Sequence, residues 1–202
     1  MVGLTGRAEA IAPRLLGARI VSDLLGDRVT IRLTEVEAYG GVGEDPGSHA
    51  HRRQTPRNAT MFGPPGLLYV YFTYGMHHCA NIVTGPEGRA GAVLLRAGEV
   101  IEGVDTARAR RAACRADRDL ARGPARLAQA LGLDRAADGL DLLDPASPVR
   151  LVPASRRPRA ALVHASGRTG VSGPGAPTPW RFFLSVDPSV SPFRPARPRA
   201  GG

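Results

Sequence analysis

Strand-like segments, some with apolar and polar residues alternating with a period of two, recur along this chain, and helical spacing is confined to a few stretches. Residues 6–17 (GRAEAIAPRLLG) read as a short helical segment broken near Pro13 and closed by Gly17. Two strands follow, ARIVSDLL (18–25) and RVTIRLTEVEAYG (28–40), separated by Gly26-Asp27. LLYVYF (67–72) and HCANIVT (78–84) flank Thr73-Tyr74-Gly75-Met76, a hairpin signal with glycine at the turn. AVLLR (92–96) is a further buried-strand candidate. Residues 103–122 read as a helix, and Gly123-Pro124 ends it and opens another at ARLAQAL. Short strands then recur at PVRLVP, ALVHA and WRFFLSV between Pro/Gly-rich turns. Strands dominate and helices lie outside them. The expected fold class is α+β: one mixed domain over residues 1–190, a largely antiparallel central sheet with flanking helices, and a Pro/Arg-rich disordered tail over 191–202.

Two stretches break the alternation in an informative way. Residues 40–66 carry few apolar residues and many Gly, Pro, His and Arg, and so long an irregular stretch inside a domain is usually functional or disordered. In RVTIRLTEVEAY the odd positions Val29, Ile31 and Leu33 are followed by Glu35, Glu37 and Tyr39. If period two holds throughout, the face that buries aliphatics also presents two carboxylates, which is costly unless they are paired or sit in a cleft. The alternative is a strand that has left the core and shows its glutamates to solvent. Periodicity does not choose between them.

Composition adds constraints. The chain has 202 residues and 43% hydrophobic residues, enough for one real core. No apolar run approaches the roughly 20 residues that span a bilayer, and the two cysteines, Cys79 and Cys114, fit a reducing compartment. A cytoplasmic protein without a membrane partner is expected. Net charge is +9, which favours a polyanionic partner. All 27 basic residues are arginine, so no side-chain amine is available for Schiff-base chemistry.

Candidate chemistry clusters between residues 37 and 96. All four tyrosines (Tyr39, Tyr69, Tyr71, Tyr74) fall within 39–74, beside a loop carrying Arg52, Arg53 and Arg57. Aromatics next to arginines suit base stacking beside phosphate contacts. Tyr74, at the hairpin tip, suits a wedge between base pairs or a ring folded back over the sheet. His49, His51, His77 and His78 could bind metal, but no CxxC or HExxH accompanies them, and no metal is expected. On a helix spanning 103–122, Arg108, Arg111, Arg115, Arg118 and Arg122 share one face, either solvated or tracking phosphates.

TEVEAY (34–39), RQTPRNATMF (53–62), LYVYFTYGMHHCANIV (68–83) and VLLRAGEVIEG (93–103) closely resemble the alkyladenine, or 3-methyladenine, DNA glycosylases, in a bacterial-type member. GPARLAQALG (123–132), SGRTGV (166–171) and PWRFFLS (179–185) extend the likeness, which covers roughly residues 8–190 in order. The resemblance implies a monofunctional glycosylase, without cofactor and acting as a monomer, that excises alkylated or deaminated purines flipped out of duplex DNA and so initiates base excision repair. It implies a hairpin that enters the minor groove. It carries the catalytic base to Glu37 and its helper to Arg96, whose pairing is expected to keep Glu37 ionised. The base pocket falls on Tyr39, His49, Tyr71 and Asn81, with His51 competing for the place of His49 and Tyr69 positioned to orient His49. Tyr74 matches the residue that fills the gap left by the flipped nucleotide, while Arg52, Arg53, Arg57, Gly75 and Met76 are expected on the DNA. Two other functions remain open at this stage, a non-catalytic binder of damaged DNA and a metal-dependent hydrolase or nuclease built on the histidines.

Overall fold

The computed structural model describes residues 3–73 and 75–195. The chain opens with α1 (Ala8–Ile11), extended by a 3-10 turn over Ala12–Leu15 as the alanines give way to Pro13. Next come β1 (Arg19–Ser22), β2 (Val29–Tyr39), the hairpin β3 (Leu68–Thr73) and β4 (His77–Val83), and β5 (Ala92–Glu102). Two helices, α2 (Val104–Arg110) and α3 (Pro124–Leu131), precede the short strands β6 (Val149–Val152), β7 (Val163–Ser166) and β8 (Arg181–Leu184). The eight strands form one sheet in the order β3-β4-β5-β2-β1-β6, with β8 joining β2 and β7 joining β8. Their pairings are antiparallel, as the alternation implies. This is an α+β fold in a single domain. Among the described residues no helix is long and apolar enough to cross a membrane.

The core lies where α1, its 3-10 extension and α3 meet the sheet, with Leu15, Leu16, Ile20, Ile31, Leu95, Leu127 and Leu131 fully buried. Helix α3 takes Pro124 at its first turn, matching the sequence signal there, and ends on Gly132 in the left-handed conformation.

Strand β2 organises the molecule. One edge pairs with β5 throughout; the other pairs with β1 over residues 29–32 and with β8 over 35–37. Where the neighbour changes, the register with β5 slips between Leu33 and Glu35 and again between Glu35 and Val36. A bulge of this kind inverts the in/out parity of the residues beyond it. Val29, Ile31 and Leu33 therefore enter the aliphatic core together with Val36 and Ala38. Glu35, Glu37 and Tyr39 are turned to the opposite face. Both sequence-based readings of the glutamates are corrected: they share no face with the aliphatics, and both are fully buried rather than solvated. Gly98 lies opposite Leu33 on β5, where a Cβ would run into the Ile31 side chain and the Arg32 carbonyl.

The expected helix over 103–122 is also corrected. It stops at Arg110 and is followed by turns and a 3-10 turn over Asp117–Asp119. Between Val104 and Leu120 the segment offers only alanines and Cys114 as apolar side chains, too little apolar face to hold a long helix on the core. The arginines consequently share no single helix face. Arg108 pairs with Asp105 and Asp117, Arg111 bonds the Gln129 side chain, and Arg122 pairs with Asp119.

In the hairpin, Leu68 and Val70 face the core while Tyr69 and Tyr71 face away from it, in agreement with the alternation. Gly75 adopts φ +66° at the turn, and Phe72 and Met76 are exposed beside it. The expected wedge, Tyr74, lies outside the described residues. Ser191, the first residue of the segment expected as a tail, is buried; residues 196–202 lie outside the described residues.

Candidate active site

The face of β2 that carries Glu35, Glu37 and Tyr39 meets five other segments. Strand β5 contributes Arg96, while β3 and β4 contribute Tyr69, Tyr71, Cys79 and Asn81. The 40–66 loop contributes His49, and the turn after β7 contributes Arg168 and Thr169. Together they enclose a cavity of about 470 Å³ whose walls include Tyr39, His49, Tyr71, Asn81, Arg96 and Thr169. Glu37 is fully buried directly behind this wall. The Tyr39 hydroxyl donates to its Oε2 at 2.9 Å, and the Thr169 backbone N–H donates to its Oε1 at 2.7 Å. Arg96 Nη1 stands 3.5 Å away.

Arg96 is held by other partners as well. Its Nε donates to Glu35 at 2.7 Å, and Nη1 and Nη2 reach the Thr169 carbonyl at 3.4 Å and Ser191 Oγ at 3.3 Å. Glu35 also accepts from Arg181 Nε at 2.7 Å, from the Ser191 N–H at 2.7 Å and from Ser191 Oγ at 2.9 Å. The two carboxyls are driven apart as a result. Burial pushes Glu35 up, but Arg96, Arg181 and Ser191 outweigh it and hold this carboxyl below its ordinary value. Burial also pushes Glu37 up, and there Arg96, Thr169 and Tyr39 only partly offset it, so Glu37 sits above its ordinary value. Arg96 acts on Glu37 in the expected direction, lowering its pKa, but burial outweighs it. The close ion pair of Arg96 is with Glu35.

His49 is the histidine in the cavity wall. Its Nδ1 lies 3.2 Å from the Tyr69 hydroxyl, the contact expected from Tyr69, and its ring meets that of Tyr71 edge-on at 4.6 Å. Burial, with Arg57 nearby, holds His49 below its ordinary value, so it is neutral at pH 7. Asn81 is buried and donates from Nδ2 to the Tyr69 carbonyl at 3.1 Å. His51 is not in the wall, and His77 and His78 lie at the start of β4. Among the described residues no three His, Cys, Asp or Glu side chains gather as a metal cage.

The irregular 40–66 stretch is ordered by side chains. Asn58, buried, donates to the His49 and Arg53 carbonyls and accepts from the Thr55 N–H. Arg57 donates to the Phe72 carbonyl at 3.1 Å and lies 5.9 Å over the Tyr71 ring, joining loop to hairpin. Arg52 and Arg53 are exposed on the same loop.

Sequence reasoning missed Arg168. It is almost wholly buried, forms two 2.6 Å bonds to Asp45, and donates to the Ala38 and Gly175 carbonyls. Its guanidinium stacks 4.8 Å over the Tyr39 ring and 5.3 Å over Trp180. Gly47 permits this packing, since a Cβ there would meet Arg168 and Val171 at 2.7 Å. The only sequence signal for Arg168 was its place in SGRTGV. Arg181 and Ser191 were missed for the same reason: their partner, Glu35, is distant in sequence.

Comparison with known proteins places the chain in a family. A family model described as methylpurine-DNA glycosylase matches residues 4–188. A Streptomyces avermitilis protein provisionally named 3-methyladenine DNA glycosylase is 55% identical over 190 residues, covering 94% of this chain and 88% of its own. Proteins with the same provisional name from Nocardia farcinica and Leifsonia xyli are each 53% identical, covering 95% and 91% of this chain and 89% and 87% of theirs. Family match, identity and coverage lead to one conclusion: the chain belongs to the methylpurine-DNA glycosylase family.

Proposed function

We propose that this protein is a monofunctional DNA glycosylase that hydrolyses the N-glycosidic bond of alkylated or deaminated purines flipped out of duplex DNA. One observation carries the reading: a buried carboxylate, Glu37, with its pKa raised, stands behind an aromatic cavity beside a guanidinium. A raised pKa makes this carboxylate a stronger base than an ordinary glutamate, as a general base requires. In the proposed reaction Glu37 takes the proton from a water that attacks C1′ and stabilises the positive charge developing on the sugar. Arg96 positions the carboxylate. Tyr39, His49 and Tyr71 supply the walls for the flipped base, and Asn81 crowds a guanine 2-amino group.

An alkylated purine such as 3-methyladenine is a cation and already a good leaving group, so one carboxylate suffices. A neutral lesion such as hypoxanthine gains from a donated hydrogen bond. Flipping costs a few kcal/mol, least for damaged or mispaired bases, and that difference adds selectivity. Tyr74 is proposed to fill the gap in the duplex. Gly75 and Met76, which follow it in sequence, are proposed to lie on the DNA beside it, and Arg52, Arg53 and Arg57 are proposed to hold phosphates. Action as a monomer is part of the proposal. The net charge of +9 supports residence on nucleoid DNA in the cytoplasm.

The test is base release from methylated and inosine-containing duplexes under single-turnover conditions. Wild type is expected to liberate free base, and Glu37→Gln to bind the duplex without release. Absence of free base with wild type, or full activity in Glu37→Gln, overturns the reading.

A further inference from the structure

Glu35 has no role in the reaction proposed above, yet it is the most heavily engaged carboxylate in the site. It is fully buried and draws bonds from three sources: Arg96 on β5, Arg181 on β8, and both the N–H and the hydroxyl of Ser191. Arg181 in turn donates to the Ser191 carbonyl at 2.8 Å and to Ser166 Oγ at 3.2 Å, so the segment after β8 is tied to the sheet through the same cluster. Burying two carboxylates and two guanidiniums together is expensive, and replacement by apolar residues is often neutral or better for stability. Its retention beside Glu37 therefore points to function.

The geometry gives the means. A guanidinium offers donors in a rigid fork, so fixing one edge fixes the direction of the rest. Glu35 takes Arg96 Nε at 2.7 Å and Ser191 Oγ takes Nη2 at 3.3 Å, which leaves Nη1 facing Glu37 at the longer distance of 3.5 Å. We propose that Glu35 is a positioning residue that, with Ser191, holds Arg96 back from Glu37 and thereby keeps Glu37 basic enough to accept the proton of the attacking water. The proposal rests on the reading of Glu37 as the general base.

The other groups around the pair do not substitute for this restraint. Tyr39 donates to Glu37 and Thr169 N–H caps it from the turn after β7. Arg168 stands beyond the Tyr39 ring, and Tyr71 and Cys79, from β3 and β4, are held in their neutral forms by burial. Glu35 itself contributes a like charge that pushes Glu37 up. Loss of the Glu35 charge acts twice in one direction. It removes that repulsion and releases Arg96 to pair closely with Glu37, and both effects lower the pKa of Glu37. A weaker base then works at a lower plateau rate, with its acid limb moved to lower pH.

The experiment measures release of methylated purine from duplex DNA in single turnovers across the acid-to-neutral range, using full-length wild type, Glu35→Gln, Ser191→Ala and Glu37→Gln. Glu35→Gln is expected to move the acid limb to lower pH and to reduce the plateau about three- to tenfold, as Brønsted behaviour requires for a weaker base. Ser191→Ala keeps the backbone N–H bond to Glu35 and both charges, and is expected to shift the limb the same way by less. It decides the matter if Glu35→Gln fails to fold. A merely structural role lowers stability or the fraction of active protein without moving the limb, so an unmoved limb in the folded variants overturns the proposal while an inactive Glu37→Gln leaves the proposed function standing. Full activity in Glu37→Gln overturns both.

Discussion

The Tyr39 hydroxyl donates a 2.9 Å hydrogen bond to the carboxylate of Glu37, two residues back on the same strand. The bond stabilises the ionised carboxylate against a burial that pushes its pKa up. Tyr39→Phe keeps the aromatic wall and removes the donor. Its expected effect is a further rise in the Glu37 pKa, so the acid limb of base release moves to higher pH, opposite in sign to Glu35→Gln. Single-turnover rates measured across that limb check this, and an unmoved limb contradicts it.

Arg168 and Asp45 form a buried pair with two 2.6 Å contacts, and Arg168 backs the Tyr39 ring. Asp45→Asn leaves that guanidinium buried without its counter-charge, a change that costs about 3–5 kcal/mol. For a domain of this size the midpoint of thermal unfolding should fall by about 10 °C. Arg168 and the N–H groups of Gly40 and Gly47 outweigh burial and hold the Asp45 carboxyl below its ordinary value. Its stabilisation is therefore complete above the ordinary carboxylate range and lost as pH falls through the lowered pKa. Melts of wild type against Asp45→Asn should converge in acid, and a gap that stays constant with pH contradicts the pairing.

Asn81 is fixed by its bond to the Tyr69 carbonyl and lines the cavity. Asn81→Ala removes the bulk proposed to oppose the guanine 2-amino group at a stability cost of about 1 kcal/mol. Release of unmodified guanine should rise relative to release of methylpurines. Unchanged rejection of guanine removes the assignment.

With arginine as its only basic residue besides histidine, the chain has no side-chain amine to form a Schiff base with the abasic sugar. Borohydride added during turnover should trap no covalent protein–DNA adduct through a side chain, and strand cleavage by β-elimination should be absent. A trapped adduct mapped to any side chain contradicts this.

How far the sequence could be read depended on the range of the interaction involved. The alternation of Leu68, Tyr69, Val70 and Tyr71 was legible because side-chain direction on a strand is local, and so was the start of α3. The motif likeness placed Glu37, Tyr39, His49, Tyr71, Asn81 and Arg96 around what proved to be one cavity. Local pattern could not reveal the bulge at Glu35, because it arises where β2 exchanges β1 for β8 as its neighbour. Nor could it reveal Asp45–Arg168 or Glu35–Arg181, whose partners are separated by 123 and 146 residues. The 103–122 segment misled for a related reason. Helical propensity was present, but the apolar face that retains a helix on a core was not.

The Glu35 cluster also imposes an order on assembly. Its partners lie 61, 146 and 156 residues further along the chain, so as the polypeptide emerges from the ribosome the strand bearing both glutamates is made early and completed late. Until Arg181 and Ser191 arrive, β2 carries a carboxylate lacking two of the three residues that justify its burial, and the sheet has reason to stay open there. The buried cluster beside Glu37 is thus complete only when the segment after β8 is in place. A chain ended before Arg181 would leave Glu35 with Arg96 as its only charged partner from this cluster.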